Sequence, residues 1–265
     1  MFDQWMSDIR HEDPTVRYQA AQGLGASNDH RAVDPLIGLL PDENAKVQYA
    51  AFSGLVKLGA ARAAEPMIAM LINDFDSRVW ELLKLNIGLR LRMGLLDMVQ
   101  TGDHAIAAQV LPVLDHADEA QRAFLIRLIG KSGNQAHVDM LIDLLGRDSE
   151  ALQTAAAEAL GWMRDARALD PLFGLLGDHR DTLREVATEA LGRIGDAAAF
   201  DALLEMLRDS NEWVRRAAAV ALGDLGDRRA VEPLSDALQD DNTVVQDAAF
   251  EALKKLSYDS FTTIL

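Results

Sequence analysis

The stretch Asn211–Leu238, which reads NEWVRRAAAVALGDLGDRRAVEPLSDAL, decides the fold of this chain. The apolar residues of its first half recur every three or four positions, which is the spacing of one helix face. These residues are Val214, Ala218, Leu222 and Leu225. Asn211 is a good capping residue for the helix start, and Gly226 suits a left-handed residue at the helix end. A second helix begins near Pro233, since proline is tolerated in the first helical turn.

The same unit recurs along nearly the whole chain with a period of 31 residues. This interval separates Gly130, Gly161, Gly192 and Gly223. A fixed period of this size is typical of stacked helix pairs that pack on their neighbours, and not of one globular core. We therefore predict an all-α fold, a right-handed α-α superhelix of about eight helix pairs, which forms a single solenoid over residues 1–265.

Residues at equivalent positions support this register. Seven of the eight positions that match Asn211 hold good capping residues, and Arg180 is the eighth. The seven are Asp13, Asn44, Asp76, Asp118, Ser149, Asn211 and Asn242. The predicted helix ends hold Gly59, Gly133, Gly195 and Gly226. One turn into four of the helices, an arginine is predicted to pair with acidic residues of the adjacent unit. These arginines are Arg17, Arg122, Arg184 and Arg215.

One join breaks the period. Gly88 and Gly130 are 42 residues apart, which indicates an inserted segment at residues 89–103. Beside it, Leu82, Leu85 and Leu89 fall at positions expected to face solvent. Either the inserted segment covers these leucines, which we favour, or they form an apolar docking site. Residues 257–265 leave the repeat and are predicted to cap or fray the array.

Composition excludes several classes of protein. The chain carries 26 Lys and Arg against 42 Asp and Glu, a net charge of −16, which repels phosphate backbones and argues against a nucleic-acid partner. It has no cysteine, so disulfides and thiolate chemistry are excluded. No stretch has the length and apolarity of a membrane span, and no signal pattern opens the chain. We expect a soluble cytoplasmic protein with no membrane partner.

The usual motifs of catalysis are missing from the sequence. The six histidines form no His-Glu-x-x-His site, and no nucleophile elbow, phosphate-binding loop or dinucleotide fingerprint is present. Acidic residues such as Asp34 and Glu232 fall in first turns of outer helices, where they complement the helix dipole. We therefore predict no catalytic residue, no cofactor and no metal site.

The unit Asp-x-x-Val-Arg-x-x-Ala-x-x-Ala-Leu-Gly-x-Leu-Gly-Asp-x-Arg-Ala-Val-x-Pro-Leu resembles the short HEAT-like repeat named after phycobilisome bilin lyases. The likeness is greatest at Asp13–Leu40 and Asn211–Leu238. Such repeats build bilin lyase subunits, scaffold and adaptor proteins, and designed binding proteins. Related helical repeats occur in an iron-dependent deoxyhypusine hydroxylase, whose several His-Glu pairs are reduced here to His11-Glu12.

The resemblance implies that the Val-Arg helices line a concave face. On this chain it predicts a partner-binding set of four aromatic and four charged residues. The aromatic residues are Tyr18, Tyr49, Phe124 and Trp162, and the charged residues are Arg127, Glu158, Glu189 and Arg193. Partly exposed aromatics beside charges are typical of binding hot spots. The alternative is that some of the aromatics fold back into the core.

These observations favour a non-enzymatic scaffold or adaptor that binds another protein on its concave face. The net charge favours a partner with a basic surface. The alternative, which the resemblance implies, is a bilin lyase or a chromophore-handling subunit that holds an anionic tetrapyrrole near Tyr18, Tyr49 and Trp162. An enzymatic activity, if there is one, would be of that lyase type.

Overall fold

The computed structural model describes residues 1–74, 77–84, 86–100, 102, 104–146 and 149–262. Every regular element within those ranges is a helix, which confirms the predicted all-α helical repeat fold. The chain divides into two compact units, Met1–Ser132 and Gly133–Leu265. In both units, mostly short outer helices alternate with inner helices. The inner helices follow the predicted capping positions, apart from one in the first unit that contains most of the inserted segment.

The first unit contains four outer and five inner helices among its described residues. The outer helices are α1 (Phe2–Asp8), α3 (Val33–Gly38), α5 (Ala64–Asn73) and α8 (His104–Val110). The inner helices are α2 (Pro14–Ala26), α4 (Ala45–Leu58), α6 (Arg78–Lys84), α7 (Asn86–Met98) and α9 (Glu119–Ser132). The core of this unit fully buries Leu24, Leu36, Leu55 and Met67, so both rows of helices contribute to it.

The second unit is more regular. Its outer helices are α10 (Val138–Leu145), α12 (Leu169–Leu175), α14 (Phe200–Met206) and α16 (Val231–Ala237). Its inner helices are α11 (Glu150–Met163), α13 (Asp181–Ile194), α15 (Glu212–Leu225) and α17 (Thr243–Thr262). Consecutive inner helices pack against each other, and the fully buried Leu141, Leu172, Leu203 and Leu222 lie in the core.

Side-chain caps fix where the inner helices begin. Four predicted caps each accept a hydrogen bond from a backbone N–H two or three residues later: Asp13, Asn44, Ser149 and Asn211. Asp118 and Asn242 likewise accept from the backbone N–H groups of Gln121 and Val244. Arg180 provides no side-chain cap, and Asp76 lies outside the described residues. The cap positions are therefore confirmed wherever a capping residue is described.

Left-handed residues end the helices with the predicted period. Gly59, Gly195 and Gly226 cap α4, α13 and α15 with φ between 59° and 74°. Two equivalent positions hold Asn28 and Arg164, which adopt φ values of 54° and 53°. Because a side chain is strained in this conformation, and asparagine less so than arginine, Arg164 is the residue that suits its position least.

The Ala-Leu-Gly sequences exist because neighbouring inner helices approach very closely. A Cβ atom added to Gly161 would lie 2.8 Å from the Cα atom of Ala190. The same close approach recurs between Gly192 and Ala221 and between Gly223 and Ala252. Each inner helix thus meets the next one through glycine and alanine, since larger side chains would hold the backbones apart.

Three of the four predicted arginines pair with the next helical repeat as expected. Each makes two hydrogen bonds to an aspartate 25 residues later, in the pairs Arg17–Asp42, Arg184–Asp209 and Arg215–Asp240. The fourth, Arg122, instead donates to the carbonyl oxygens of Leu114 and Ala117. The Arg215 guanidinium holds the pKa of Asp240 at about 2, and Arg184 lowers the pKa of Asp209.

The described part of the inserted segment is helical. Residues 89–98 lie in α7, which contacts α4 and α9 and places Gly94 against Val56. Leu82 is half-buried and Leu85 lies outside the described residues. Leu89 is 52% exposed, so the favoured expectation that the insertion covers it is wrong: α7 carries Leu89 on its own outward surface.

Candidate functional site

The eight predicted partner-binding residues divide equally between the two units. The first unit contains Tyr18, Tyr49, Phe124 and Arg127, and the second contains Glu158, Trp162, Glu189 and Arg193. All eight belong to inner helices, because the repeat places equivalent positions on the same face of α2, α4, α9, α11 and α13. Seven are half-buried and Phe124 is buried.

Tyr18 and Tyr49 line one groove in the first unit. They come from equivalent positions of α2 and α4, and both side chains are half-buried. The groove has a volume of about 790 Å³, which lies in the range of ligand-binding clefts. Its other lining residues are Pro14, Thr15, Asn44, Ala45, Lys46, Arg78 and Leu82. The structure therefore brings two of the predicted aromatics together in an open cleft.

A smaller hollow of about 260 Å³ is lined by the same two tyrosines and extends toward Lys57. Its floor is the close contact between Gly25 of α2 and Gly54 of α4. The Nε2 group of Gln22 donates a hydrogen bond of 2.6 Å to the Tyr18 hydroxyl oxygen. This bond fixes the Tyr18 side chain and leaves its hydroxyl proton available to a ligand.

Phe124 is part of the core, and the expectation that it is partly exposed is wrong. Only 3% of its surface is accessible, and its ring meets the ring of Trp80 edge to face with centroids 5.9 Å apart. The physical reason is the irregular third repeat, whose α6 presents a fully buried tryptophan to this position. Its ring therefore supports the fold and is not available as a binding anchor.

Arg127 lies in a basic neighbourhood. Burial lowers the pKa of Arg92, and the positive charge of Arg127 adds to that effect. The Arg92 guanidinium donates from Nη1 to the carbonyl oxygen of Leu83 at 2.6 Å. The guanidinium groups of Arg92 on α7 and Arg127 on α9 therefore lie close enough to repel each other.

The second unit presents a surface of alternating charges. Glu189 accepts a hydrogen bond of 2.9 Å from Arg193, one turn later on α13. Burial raises the pKa of Glu185, and the negative charge of Glu189 raises it further, while Arg216 opposes the change. A hollow of about 210 Å³ between α13 and α15 is lined by Glu189, Arg193 and Arg216. The structure thus brings Glu189 and Arg193 together.

Glu158 and Trp162 are one turn apart on α11, and both are half-buried. Trp162 stands at the repeat position that Arg193, Asp224 and Lys255 occupy in the following repeats. Its partial exposure agrees with the predicted register. Farther along the second unit, Lys255 of α17 binds Asp224 of α15 at 2.5 Å. One ion pair on this face therefore joins two neighbouring inner helices. Trp162 is the large aromatic residue among the predicted positions of the second unit.

Sequence reasoning missed two cations of the first groove, Lys46 and Arg78. The predicted set began after the Val of each Val-Arg helix, whereas both cations stand before that point, in the first turn of α4 and α6. A usable signal was present. Thr15 and Lys46 stand at equivalent positions 31 residues apart, and both line the groove.

The described residues contain neither a metal-binding cluster nor a membrane-spanning helix. Among them, no three His, Asp or Glu side chains cluster closely enough to hold a metal ion. In the same part of the chain, no helix combines the length and the apolar character that crossing a bilayer requires.

Comparisons with known proteins agree on the fold. No curated protein matches the sequence. The structure is similar to the complex of CpcE and CpcF of phycocyanin lyase from Nostoc sp. PCC7120, with a TM-score of 0.52 and 20% identity over 97% of this chain and 94% of that one. It is also similar to human deoxyhypusine hydroxylase, with a TM-score of 0.44 and 18% identity over 97% and 84% of the two chains.

An engineered protein has a TM-score of 0.47 and 18% identity over 96% of this chain and 78% of that one. At these identities the likenesses concern the fold alone. The sequence pattern of HEAT repeats matches residues 3–84, 107–192 and 175–254. Since these matches extend over most of the chain, the protein belongs to the HEAT-repeat family.

Proposed function

We propose that this protein is an interaction scaffold that binds another protein through the inner-helix faces of its repeats. The observation that carries the proposal is the pairing of Tyr18 and Tyr49 in an open groove. Tyrosines in a cleft offer a large contact area and a polar tip, which is the side-chain chemistry of protein interfaces. Membership of a repeat family whose helices form extended binding surfaces supports the same function.

The second unit would supply the acidic part of the interface. Residues 133–265 contain 13 Lys and Arg against 25 Asp and Glu, whereas residues 1–132 contain 13 against 17. A basic protein surface would be attracted to this field and oriented by it. Trp162 is the proposed anchor there, with Glu158, Glu189 and Arg193 setting the orientation.

The test is a capture experiment with matched tryptophan variants. Immobilised wild type, Trp162→Ala and Trp213→Ala are exposed to native lysate, and retained proteins are identified by mass spectrometry. Trp213 is 46% exposed in the same unit and outside the proposed set, so it controls for the loss of any tryptophan. Tyr18→Ala/Tyr49→Ala tests the first unit in the same way.

The expected result is a partner that wild type and Trp213→Ala retain and that Trp162→Ala or the tyrosine variant loses. Circular dichroism of each variant must match wild type, because both tyrosines and Trp162 are half-buried. Equal retention by every folded variant would contradict the proposed faces.

A bilin lyase or chromophore-handling subunit is the second candidate. The observation in its favour is the same groove, where Tyr18 and Tyr49 stand beside Lys46 and Arg78 and could hold a flat anionic pigment. Adding bilin to the purified protein should then shift the absorbance of the pigment. An unchanged spectrum with the protein, alone and with candidate partners, would remove this candidate.

A further inference from the structure

The tyrosine groove carries cations that the rest of the protein does not neutralise. Lys46, Lys57 and Arg78 are exposed, and none of them forms an ion pair within the part of the chain that the structure describes. Several other cations in the first unit have a carboxylate partner. Such cations include Arg17, Arg31, Arg62 and Lys84. In a chain of net charge −16, three unpaired cations beside one cleft form a local basic site.

The helices that begin at this site carry few acidic residues in their first turns. Among the described residues, no Asp or Glu lines either hollow. The first turns of α2 and α4 contain no acidic residue, and that of α6 contains Glu81. The helices α11, α13 and α15 of the second unit, in contrast, begin with Glu150, Asp181 and Glu212. A lysine at the start of a helix is disfavoured by the helix dipole, so Lys46 adds positive potential where the backbone already supplies some.

The groove also has an apolar part. The rings of Tyr18 and Tyr49, with Pro14 and Leu82, provide surface for an uncharged side chain between the cations. The Tyr18 hydroxyl, which accepts from Gln22, can donate its proton to an oxygen of the ligand. The groove is therefore suited to bind a peptide chain that has several carboxylates and an apolar or aromatic residue among them.

We infer that this groove binds an acidic segment of a partner protein, with carboxylates on Lys46, Lys57 and Arg78 and an apolar side chain against the tyrosines. The inference rests on the proposed function in one respect, that the ligand is a protein. It refines that function because it assigns the two units opposite preferences, an acidic segment for the first and a basic surface for the second. Charge complementarity selects the acidic segment as the occupant.

The experiment measures binding of a defined peptide to the full chain. The probe is a fluorescein-labelled peptide of glutamates around a central phenylalanine, and its matched control has every glutamate replaced by glutamine. Fluorescence anisotropy should show binding of the glutamate peptide, at least about tenfold weaker binding of the glutamine peptide, and an affinity that falls as salt rises. Failure of the glutamate peptide to bind wild type at low salt would overturn the inference.

Charge-reversal variants test the location. Lys46→Glu/Arg78→Glu should weaken peptide binding by about tenfold or more, because it places two carboxylates opposite those of the ligand. These variants should still fold, since glutamate suits the first turn of a helix. Arg10→Glu/Arg90→Glu is the control with the same change in net charge, because Arg10 and Arg90 are exposed arginines of the same unit that line neither hollow. Equal weakening by both variants would reduce the effect to net charge and overturn the assigned site.

The two proposals fail separately. Capture of a protein that depends on Trp162, without binding of the glutamate peptide, would support the scaffold and overturn the acidic-segment groove. Absorbance titration with bilin tests whether the groove binds an anionic pigment instead of an acidic peptide. Pigment that binds wild type and is lost in Lys46→Glu/Arg78→Glu, while the peptide does not bind, would also overturn the peptide assignment.

Discussion

Most inner helices have an arginine or a glutamine at the same position of their first turns. Its side chain donates a hydrogen bond to a backbone carbonyl oxygen that precedes the helix. Arg215 donates to the carbonyl oxygen of Asp209, and Gln153 donates to that of Leu145. Leu145 is the last residue of α10 and Asp209 follows α14, so the outer helix supplies no later N–H group to either carbonyl oxygen. The longer arginine also reaches the aspartate of the next unit, as Arg215 reaches Asp240. An arginine at this position therefore links two neighbouring repeats by an ion pair where it reaches an aspartate of the next repeat.

Gln153→Arg should stabilise the protein. Asp178 stands 25 residues after Gln153, as Asp209 stands after Arg184, yet it binds Arg180 of its own turn instead. The Oε1 atom of Gln153 is also buried without a partner. Arginine would remove that unpaired oxygen and offer a guanidinium to Asp178, a gain of about 1 kcal/mol in the free energy of unfolding. Urea denaturation measures this change in the free energy of unfolding. Gln153→Leu, which loses the hydrogen-bond donor to Leu145, should instead be less stable than wild type.

The Arg215–Asp240 pair should make stability depend on acid pH. Arg215 lowers the pKa of Asp240 from 3.8 to about 2, so the unfolded chain takes up this proton at higher pH than the folded one. The stabilisation is therefore complete above pH about 4 and is lost as the pH falls toward 2. Arg215→Leu should flatten this part of the curve of unfolding free energy against pH. Arg228→Leu, which removes an exposed arginine, should leave its slope unchanged.

Helix elements in this protein are defined by contacts at their ends and along one shared face. Cap residues start the inner helices, and left-handed residues stop them, because both satisfy backbone groups that a helix leaves open. Between these ends, glycine and alanine set the distance to the next inner helix, as Gly192 does with Ala221. Both features can be changed singly, and the repeats provide internal controls.

Gly192→Ala should destabilise the second unit although alanine is the better helix former. The added Cβ would lie 2.5 Å from the Cβ of Ala221, so α13 and α15 must move apart. Overpacking of this kind costs about 1–3 kcal/mol, which exceeds the gain in helix propensity of about 1 kcal/mol. Gly174→Ala in α12 is the matched control, because nothing lies within 4 Å of its new Cβ. Thermal unfolding should show a lower Tm for Gly192→Ala and a higher Tm for Gly174→Ala.

Arg164→Gly should stabilise the end of α11. Arg164 holds φ at 53°, where an L side chain is strained, while the equivalent positions after α13 and α15 are Gly195 and Gly226. Relief of that strain is expected to add about 1 kcal/mol to the free energy of unfolding. The opposite change, Gly195→Ala, should remove a similar amount. A loss of stability in Arg164→Gly would mean that contacts of the arginine side chain outweigh the backbone strain.

At the scale of the whole molecule, the sequence predicts what the repeat dictates and fails where the repeat is interrupted. Caps and helix ends depend on residues close in the chain, so the period located them correctly. Phe124 was misplaced because its burial depends on Trp80 in the irregular third repeat. Lys46 was missed because its role depends on which neighbouring helices share a groove, and a period alone does not carry that information.

The contact pattern also predicts how a local defect spreads. The inner helices of the second unit contact one another in chain order, α11 with α13, α13 with α15 and α15 with α17. In such an array, stability is the sum of each repeat and its interfaces with the nearest neighbours, so a weakened interface opens mainly the repeats that share it. Hydrogen–deuterium exchange of Gly192→Ala should therefore increase most in α13 and α15, less in α11 and α17, and least in α2 and α4. Gly174→Ala provides the reference pattern. An equal increase in every helix would show instead that the chain unfolds as one cooperative body, and that the repeats do not act as separate units of stability.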